Sequence, residues 1–363
     1  MKNSSKSLTN ASGIEQPDSS DLRPAAPKRP RERPAAPAAF LHQNLVPPAP
    51  QHPHMNPRST RHPARSLLRS PVPLALWVLC WAGITSPRVH AADPVSERLS
   101  SALSFHASFD DGPDARVARG DRTLYHAASI ETRNQPVAGL PATGEVTLQP
   151  AVDRPGQVLQ FTKAKAPLML FKADRNFPTP RPEWAGTLSL WMSLDPAADL
   201  DPGFCDPIQL TSKKWDDAAL FLEFEKRADG VPFRLGVYAD TAVWNPLGRK
   251  WEEIPAPEKP LITLTNTPFS RSRWTHAAFV IEHFNTGTAN GRAQLFIDGK
   301  DAGTISPRQQ TFTWDPAQSV IMLGVGYVGL MDDLALFDRA LTPAEISHLF
   351  TLKDGLRTLT PQP

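Results

Sequence analysis

The sequence holds only two cysteines in 363 residues, Cys80 and Cys205, which excludes a disulfide framework and every multi-cysteine zinc site. Cys80 lies in an apolar run read below as a removed segment, so the mature chain would keep one thiol and no internal bridge. Cys205, between Phe204 and Asp206, reads as a small buried hydrophobe rather than a reactive thiol. No glycine-rich phosphate loop or cofactor motif occurs. The apolar run Val72 to Ile84 has thirteen residues, short of the roughly 20 that a membrane-spanning helix needs.

A large net charge is also missing, since 39 Lys and Arg stand against 37 Asp and Glu, a formal +2. The balance is uneven along the chain. Residues 1–92 carry 12 basic and 4 acidic side chains, leaving 27 basic and 33 acidic for residues 93–363. The acidic second part offers no basic stripe to neutralise phosphates, which argues against nucleic acid as a partner. Its length suffices for one large sandwich or barrel domain.

Residues 1–65 are rich in Pro, Ala and Arg and have Phe40 as their one aromatic. Such a stretch cannot bury enough apolar area to offset chain entropy, and disorder is expected there. Residues 66–92 carry the layout of a secretory signal peptide: arginines up to Arg69, the apolar run, then Val89-His90-Ala91 with small residues at −3 and −1. This pattern predicts cleavage near Ala91, a secreted, periplasmic or cell-surface protein, and membrane contact only transiently through the signal. Because a signal peptide stands at an N-terminus, Met55 is expected to be the true start.

From Asp93 onward, short alternating runs separated by Gly, Pro, Asn and Asp predict an all-β sandwich over residues 93–363. Leu188, Leu190, Met192 and Leu194 share one face of a strand whose other face is Ser189, Trp191 and Ser193. Ala219 to Glu225 alternates likewise, with Phe221, Glu223 and Glu225 opposite Leu220, Leu222 and Phe224. Trp274 to Glu282 and Gly291 to Ile297 read as paired strands, with Phe279, Ile281, Leu295 and Ile297 in the core. Asp298-Gly299 then suits the positive φ angles of a type I′ turn. Ser319 to Leu323 and Leu330 to Phe337 are further strands. One short helix closes the chain: Thr342 as N-cap, Pro343 at the first position, Glu345 completing a capping box, and Ile346, Leu349 and Phe350 as its apolar stripe.

Several of these segments resemble the laminin-G-like, concanavalin A-like lectin/glucanase superfamily. Trp274-Thr-His-Ala-Ala-Phe-Val-Ile281 with Gln294-Leu-Phe-Ile-Asp-Gly-Lys300 is similar to its "W-x-H-x-A" strand and "L-x-x-D-G" hairpin. Gly329 to Ile346 resembles its closing "G-x-I-D-D-x-x-I-Y-x-R-A-L-S-x-x-E-I". Leu188 to Leu194 and Phe105 to Gly112 are weaker matches, while residues 134–181 and 241–268 match no part of the pattern and read as family-specific loops. The resemblance implies a two-sheet antiparallel jelly roll whose first and last strands lie side by side. It also implies a structural Ca2+ held by Asp110 and Asp332; the competing reading makes Asp110-Asp111-Gly112 a turn and Asp332-Asp333 a polar pair at a strand start.

Three groups of side chains carry the functional expectations. Glu223 and Glu225 share a strand face, as paired glycosidase acids do, although a solvated sheet face alternates in the same way. The similar laminarinase-type glucanases read E-x-D-x-E on such a strand, whereas the same face here reads Phe221, Glu223, Glu225, Arg227, so a third acid is missing. Residues 243–257 form a long segment in which Trp244, Trp251 and Asn245 could stack on and hydrogen-bond a sugar, or pack the loop onto the sandwich. His276 and His283 lack metal spacing and read as structural or exposed. The function expected is an exported, non-enzymatic recognition module for a glycan or a surface protein. The alternative is a carbohydrate-active enzyme, a glycoside hydrolase or polysaccharide lyase, and a purely structural module is a third possibility. The acidic balance favours calcium and neutral glycans over polyanions as ligands.

Overall fold

The computed structural model describes residues 93–178, 180–352 and 354–359. The tail expected over 1–65, the start at Met55 and the signal peptide over 66–92 lie outside the described residues. No described helix is long and apolar enough to cross a membrane.

Two antiparallel sheets face each other across one apolar core. The nine-stranded sheet runs, in spatial order, Lys300–Arg308, Gly291–Ile297, Thr275–Phe284, Trp184–Ser193, Gly329–Phe337, Leu103–Ala107 and Val117–Ala118. A hairpin of Val146–Pro150 and Gln157–Phe161 joins it through Gln157–Phe161, which pairs with Gly329–Phe337. The eight-stranded sheet runs Leu261–Leu264, Phe233–Tyr238, Ala219–Lys226, Gly203–Thr211, Val320–Val325, Leu168–Lys172, Tyr125–Ala127 and Val137–Ala138. The first long strand does lie beside the last, with Phe105 opposite Leu336.

The two-residue period places the predicted faces. Leu188, Leu190, Met192 and Leu194 are fully buried between the sheets, as are Phe279, Ile281 and Leu295, while Ile297 is half-buried at the margin. Trp184 is the pivot of the core, meeting Phe177, Phe284, Phe312 and Trp314 edge-on at 5.2–5.8 Å for Phe177, Phe284, Phe312 and Trp314 alike. Truncating a ring so placed costs about 3–5 kcal/mol. Asp298 and Gly299 turn with φ of 50° and 73°, the left-handed pair that a type I′ hairpin requires.

The outer face of the nine-stranded sheet is not open to water. The predicted C-terminal helix, Pro343–Thr351, has the expected capping box and packs there with Ile346 and Leu349. A second helix, Pro94–Ala102, packs beside it and was not expected from sequence. Its stripe is only Leu99 and Ala102, too sparse to register as a period, although Asp93 caps it and Pro94 opens it. Residues 134–181, expected to be loops, contribute four of the strands, short and poorly alternating pieces, of which Gln157–Phe161 and Leu168–Lys172 pair with the distant strands Gly329–Phe337 and Val320–Val325.

Candidate functional site

Glu223 lies directly opposite Arg234 on the outer face of the eight-stranded sheet. The guanidinium donates from Nε to Glu223 Oε1 at 2.8 Å and from Nη1 to Glu225 Oε2 at 2.7 Å. The two carboxylates therefore share one cation rather than facing each other across a gap. The face is also less solvated than alternation suggests, since Glu223 is 7% exposed. Burial raises its carboxyl above the usual range, with Arg234 pulling it back. Asp206, on the adjacent strand, is raised further by burial and by Glu223. Sequence reading passed over Asp206 because it alternates with nothing; a bulge between the two strands brings it to this face.

The 243–257 segment folds down beside that patch. Trp244 meets the Tyr238 ring edge-on at 4.9 Å and donates from Nε1 to the Asp216 carbonyl at 2.9 Å. Trp251 stacks on Tyr238 at 6.4 Å, and Tyr238 stacks on Phe221 at 5.4 Å. Asn245 closes its own loop, with Nδ2 donating to the Arg249 carbonyl and Oδ1 accepting from the Arg249 N–H. The three residues expected to contact a sugar thus hold the loop over the sheet. His276 is fully buried, bonded through Nε2 to Ser189 Oγ at 2.8 Å, and burial lowers its pKa to about 3.

The predicted acidic corner does form. Asp332 and Asp333 are buried, and the Arg154 guanidinium reaches both, Nε to Asp332 Oδ2 and Nη2 to Asp333 Oδ2, each at 2.5 Å. His106 Nε2 lies 2.8 Å from the other Asp333 oxygen. Asp110 adjoins the same corner, its pKa raised by burial and then by Asp333. Calcium wants about six to eight oxygens. The Asp332 carboxylate instead accepts from Arg154 on one oxygen and from the Asp333 backbone N–H on the other. Among the described residues no group of three or more His, Cys, Asp or Glu could hold a metal ion. As placed, these residues do not fit the ion: the cation beside Asp332 is the chain's own guanidinium.

Arg154 also builds the wall of a cleft. It stands at the tip of the 146–161 hairpin, with Cζ 4.5 Å from the Trp191 ring centroid and 5.3 Å from that of Trp274. Trp274 Nε1 ties the same tip down by donating to the Val152 carbonyl at 3.1 Å. Trp191 is in turn stacked on Phe350 of the C-terminal helix at 5.7 Å. The cleft between hairpin tip, helix end and the 271–274 turn has a volume of about 670 Å³, and Arg271 and Arg273 complete its rim. Sequence reading did not single it out. Arg154 lies where no pattern matched, and Trp191 and Trp274 were absorbed into strands. The overlooked signal is a tryptophan between two serines on the face turned away from the core.

Residues 177–347 match the family model described as the Concanavalin A-like lectin/glucanases superfamily. This bears out the resemblance, since the strand pair from Trp274 and the closing segment to Ile346 both fall inside the match. No curated protein matches the chain. Among solved structures, domain 4 of the GH43 extracellular arabinanase AbnA from Geobacillus stearothermophilus, in complex with arabinotriose, is 17% identical over 68% of this chain and 97% of that one, with a TM-score of 0.42. The ligand binding domain of botulinum neurotoxin serotype D, in complex with N-acetylneuraminic acid, is 8% identical over 70% of this chain and 52% of that one, with a TM-score of 0.44. The binding domain of Paraclostridial Mosquitocidal Protein 1 is 12% identical over 69% of this chain and 52% of that one, with a TM-score of 0.39. The chain spans about half the length of these two toxin domains.

Proposed function

We propose that the protein is an exported recognition module that binds carbohydrate and does not cleave it. The observation that carries this reading is the sharing of Arg234 by Glu223 and Glu225. A retaining glycosidase sets its two carboxyl groups about 5–5.5 Å apart across the bond to be broken, one free to attack and one free to donate a proton. Here both are ion-paired to the same side chain, and Glu223 is buried. The lectin/glucanase family match supports carbohydrate as the ligand class, and the aromatic cleft beside Arg154 offers a concave surface of suitable size.

The catalytic alternative has one observation in its favour. Burial raises the carboxyls of Glu223 and Asp206, which is the property a general acid needs near neutral pH. A single experiment separates the two readings: incubation of the purified protein with a polysaccharide panel, scoring retention and release of reducing ends together. Retention without new ends is expected. Release of ends that is lost in Glu223→Gln would overturn the recognition reading.

A further inference from the structure

The cleft beside Arg154 is rich in arginine, yet it does not carry the charge that three arginines suggest. Arg154 is matched by Asp332 and Asp333, Arg271 by Asp199 through Nε at 2.9 Å, and Arg273 by Asp298. Every guanidinium is thus fixed in place by a carboxylate on one edge. Five N–H donors on each exceed what one carboxylate can accept, so hydrogen-bonding capacity remains while net charge does not. Arg271 and Arg273 are 66% and 46% exposed at the rim, so their remaining donors meet solvent, whereas Arg154 is 10% exposed and acts as wall. Half-buried Trp274 and Trp191 add flat apolar surface. A volume of about 670 Å³ lies within the range of pockets that enclose small ligands.

Donors without net charge beside an aromatic ring suit a neutral polyol. Its hydroxyls accept from guanidinium N–H groups, and its C–H face stacks on indole. An acidic sugar would gain little from arginines already neutralised and would approach Asp153 at the mouth and Asp199 and Asp298 behind the rim. We propose, resting on the recognition reading, that this cleft binds residues of a neutral saccharide, with Trp274 as the stacking ring and Arg271 and Arg273 as the hydroxyl donors.

The test is calorimetric titration of the purified full chain with neutral trisaccharides of glucose, xylose and arabinose, and with trigalacturonate as the acidic arm. At least one neutral trisaccharide is expected to bind, with a Kd that stays constant between about 0.05 and about 0.5 M NaCl because no net charge is exchanged. Trp274→Ala, Arg271→Gln and Arg273→Gln should each weaken binding roughly three- to tenfold. Asp199 and Asp298 lose a cation in the two arginine variants but keep the Asp195 and His276 backbone N–H donors, so both variants should stay folded at the assay temperature, which circular dichroism checks. Trp215→Ala, at an exposed ring in the turn before the Ala219–Lys226 strand of the other sheet, should leave saccharide affinity unchanged. A preference for trigalacturonate, or neutral binding that all three cleft variants leave within about twofold, overturns the placement while recognition elsewhere stands. Binding of no saccharide in the panel overturns both.

Discussion

The guanidinium of Arg154 lies 4.5 Å from the centre of the Trp191 ring while its edge binds the carboxylates of Asp332 and Asp333. One side chain thereby joins a hairpin tip to the last strand, fills the space between two buried acids and props up an aromatic wall. Electrostatics and packing at this corner are consequently one structural unit, and substitution of Arg154 tests both.

Arg154→Ala leaves two buried carboxylates without their cation and is expected to cost about 3–5 kcal/mol, read from the urea midpoint. Calcium at Asp110 and Asp332 requires this arginine to leave. The melting temperature of the unaltered protein should therefore be the same with calcium and with chelator, whereas the Arg154→Ala variant should gain stability from calcium. A calcium-dependent rise in the unaltered protein would reverse the assignment.

Arg234→Met should destabilise the protein by about 2–4 kcal/mol at neutral pH, because Glu223 and Glu225 lose the cation they share. The deficit should shrink on acidification, as the carboxyls protonate. Glu223, already raised by burial, should titrate higher still, which carboxyl NMR on labelled protein would register. An unchanged Glu223 titration would show that Arg234 is not its controlling partner.

Trp244→Ala and Trp251→Ala should each lower stability by about 1–3 kcal/mol, since both rings cover Tyr238 and the sheet beneath. Asn245→Ala should cost about 1 kcal/mol through its two lost backbone hydrogen bonds. Saccharide affinity should persist in all three. Lost affinity with unchanged melting would return these residues to a ligand site.

His276 and Glu345 set an acid limit on stability. His276 is held near 3 by burial and then by Arg154, against 6.5 for a free imidazole; Glu345 is held near 2, chiefly by its Arg339 hydrogen bonds. Both folded values lie below the unfolded ones, so the unfolded chain binds more protons and stability rises with pH through these windows. The His276 contribution is complete above pH 6.5 and is lost toward pH 3, with a slope approaching about 1.4 kcal/mol per unit. His276→Gln should flatten the urea-midpoint profile between these limits. Glu345 adds its own loss below 4.5.

The parts of the fold that could be read from sequence are those set by local chemistry. Alternation in Leu188–Leu194, the turn at Asp298-Gly299 and the capping box at Thr342 each depend on residues a few positions apart. The candidate cleft depends on the opposite kind of relation. Arg154 meets Asp332 178 residues away, and the chain segment that carries it has no period of its own. Glu223 and Glu225 were legible as a pair but not as partners of one arginine, because cross-strand register sets that contact. Trp244 and Trp251 show the same ambiguity: the sequence places a ring in a loop, and only packing decides whether it faces inward.

The adjacency of first and last strands bears on how the domain is assembled in time. Ser104 Oγ bonds to the Leu336 carbonyl 232 residues further along, so the strand from Leu103 has no lasting partner on one edge until Gly329–Phe337 has been made. Contacts this distant in sequence give a high contact order and slow folding, in the millisecond-to-second range typical of β-sandwiches. The interval leaves the nascent chain open to chaperone capture before it locks, and a chain truncated ahead of Gly329 should never lock at all.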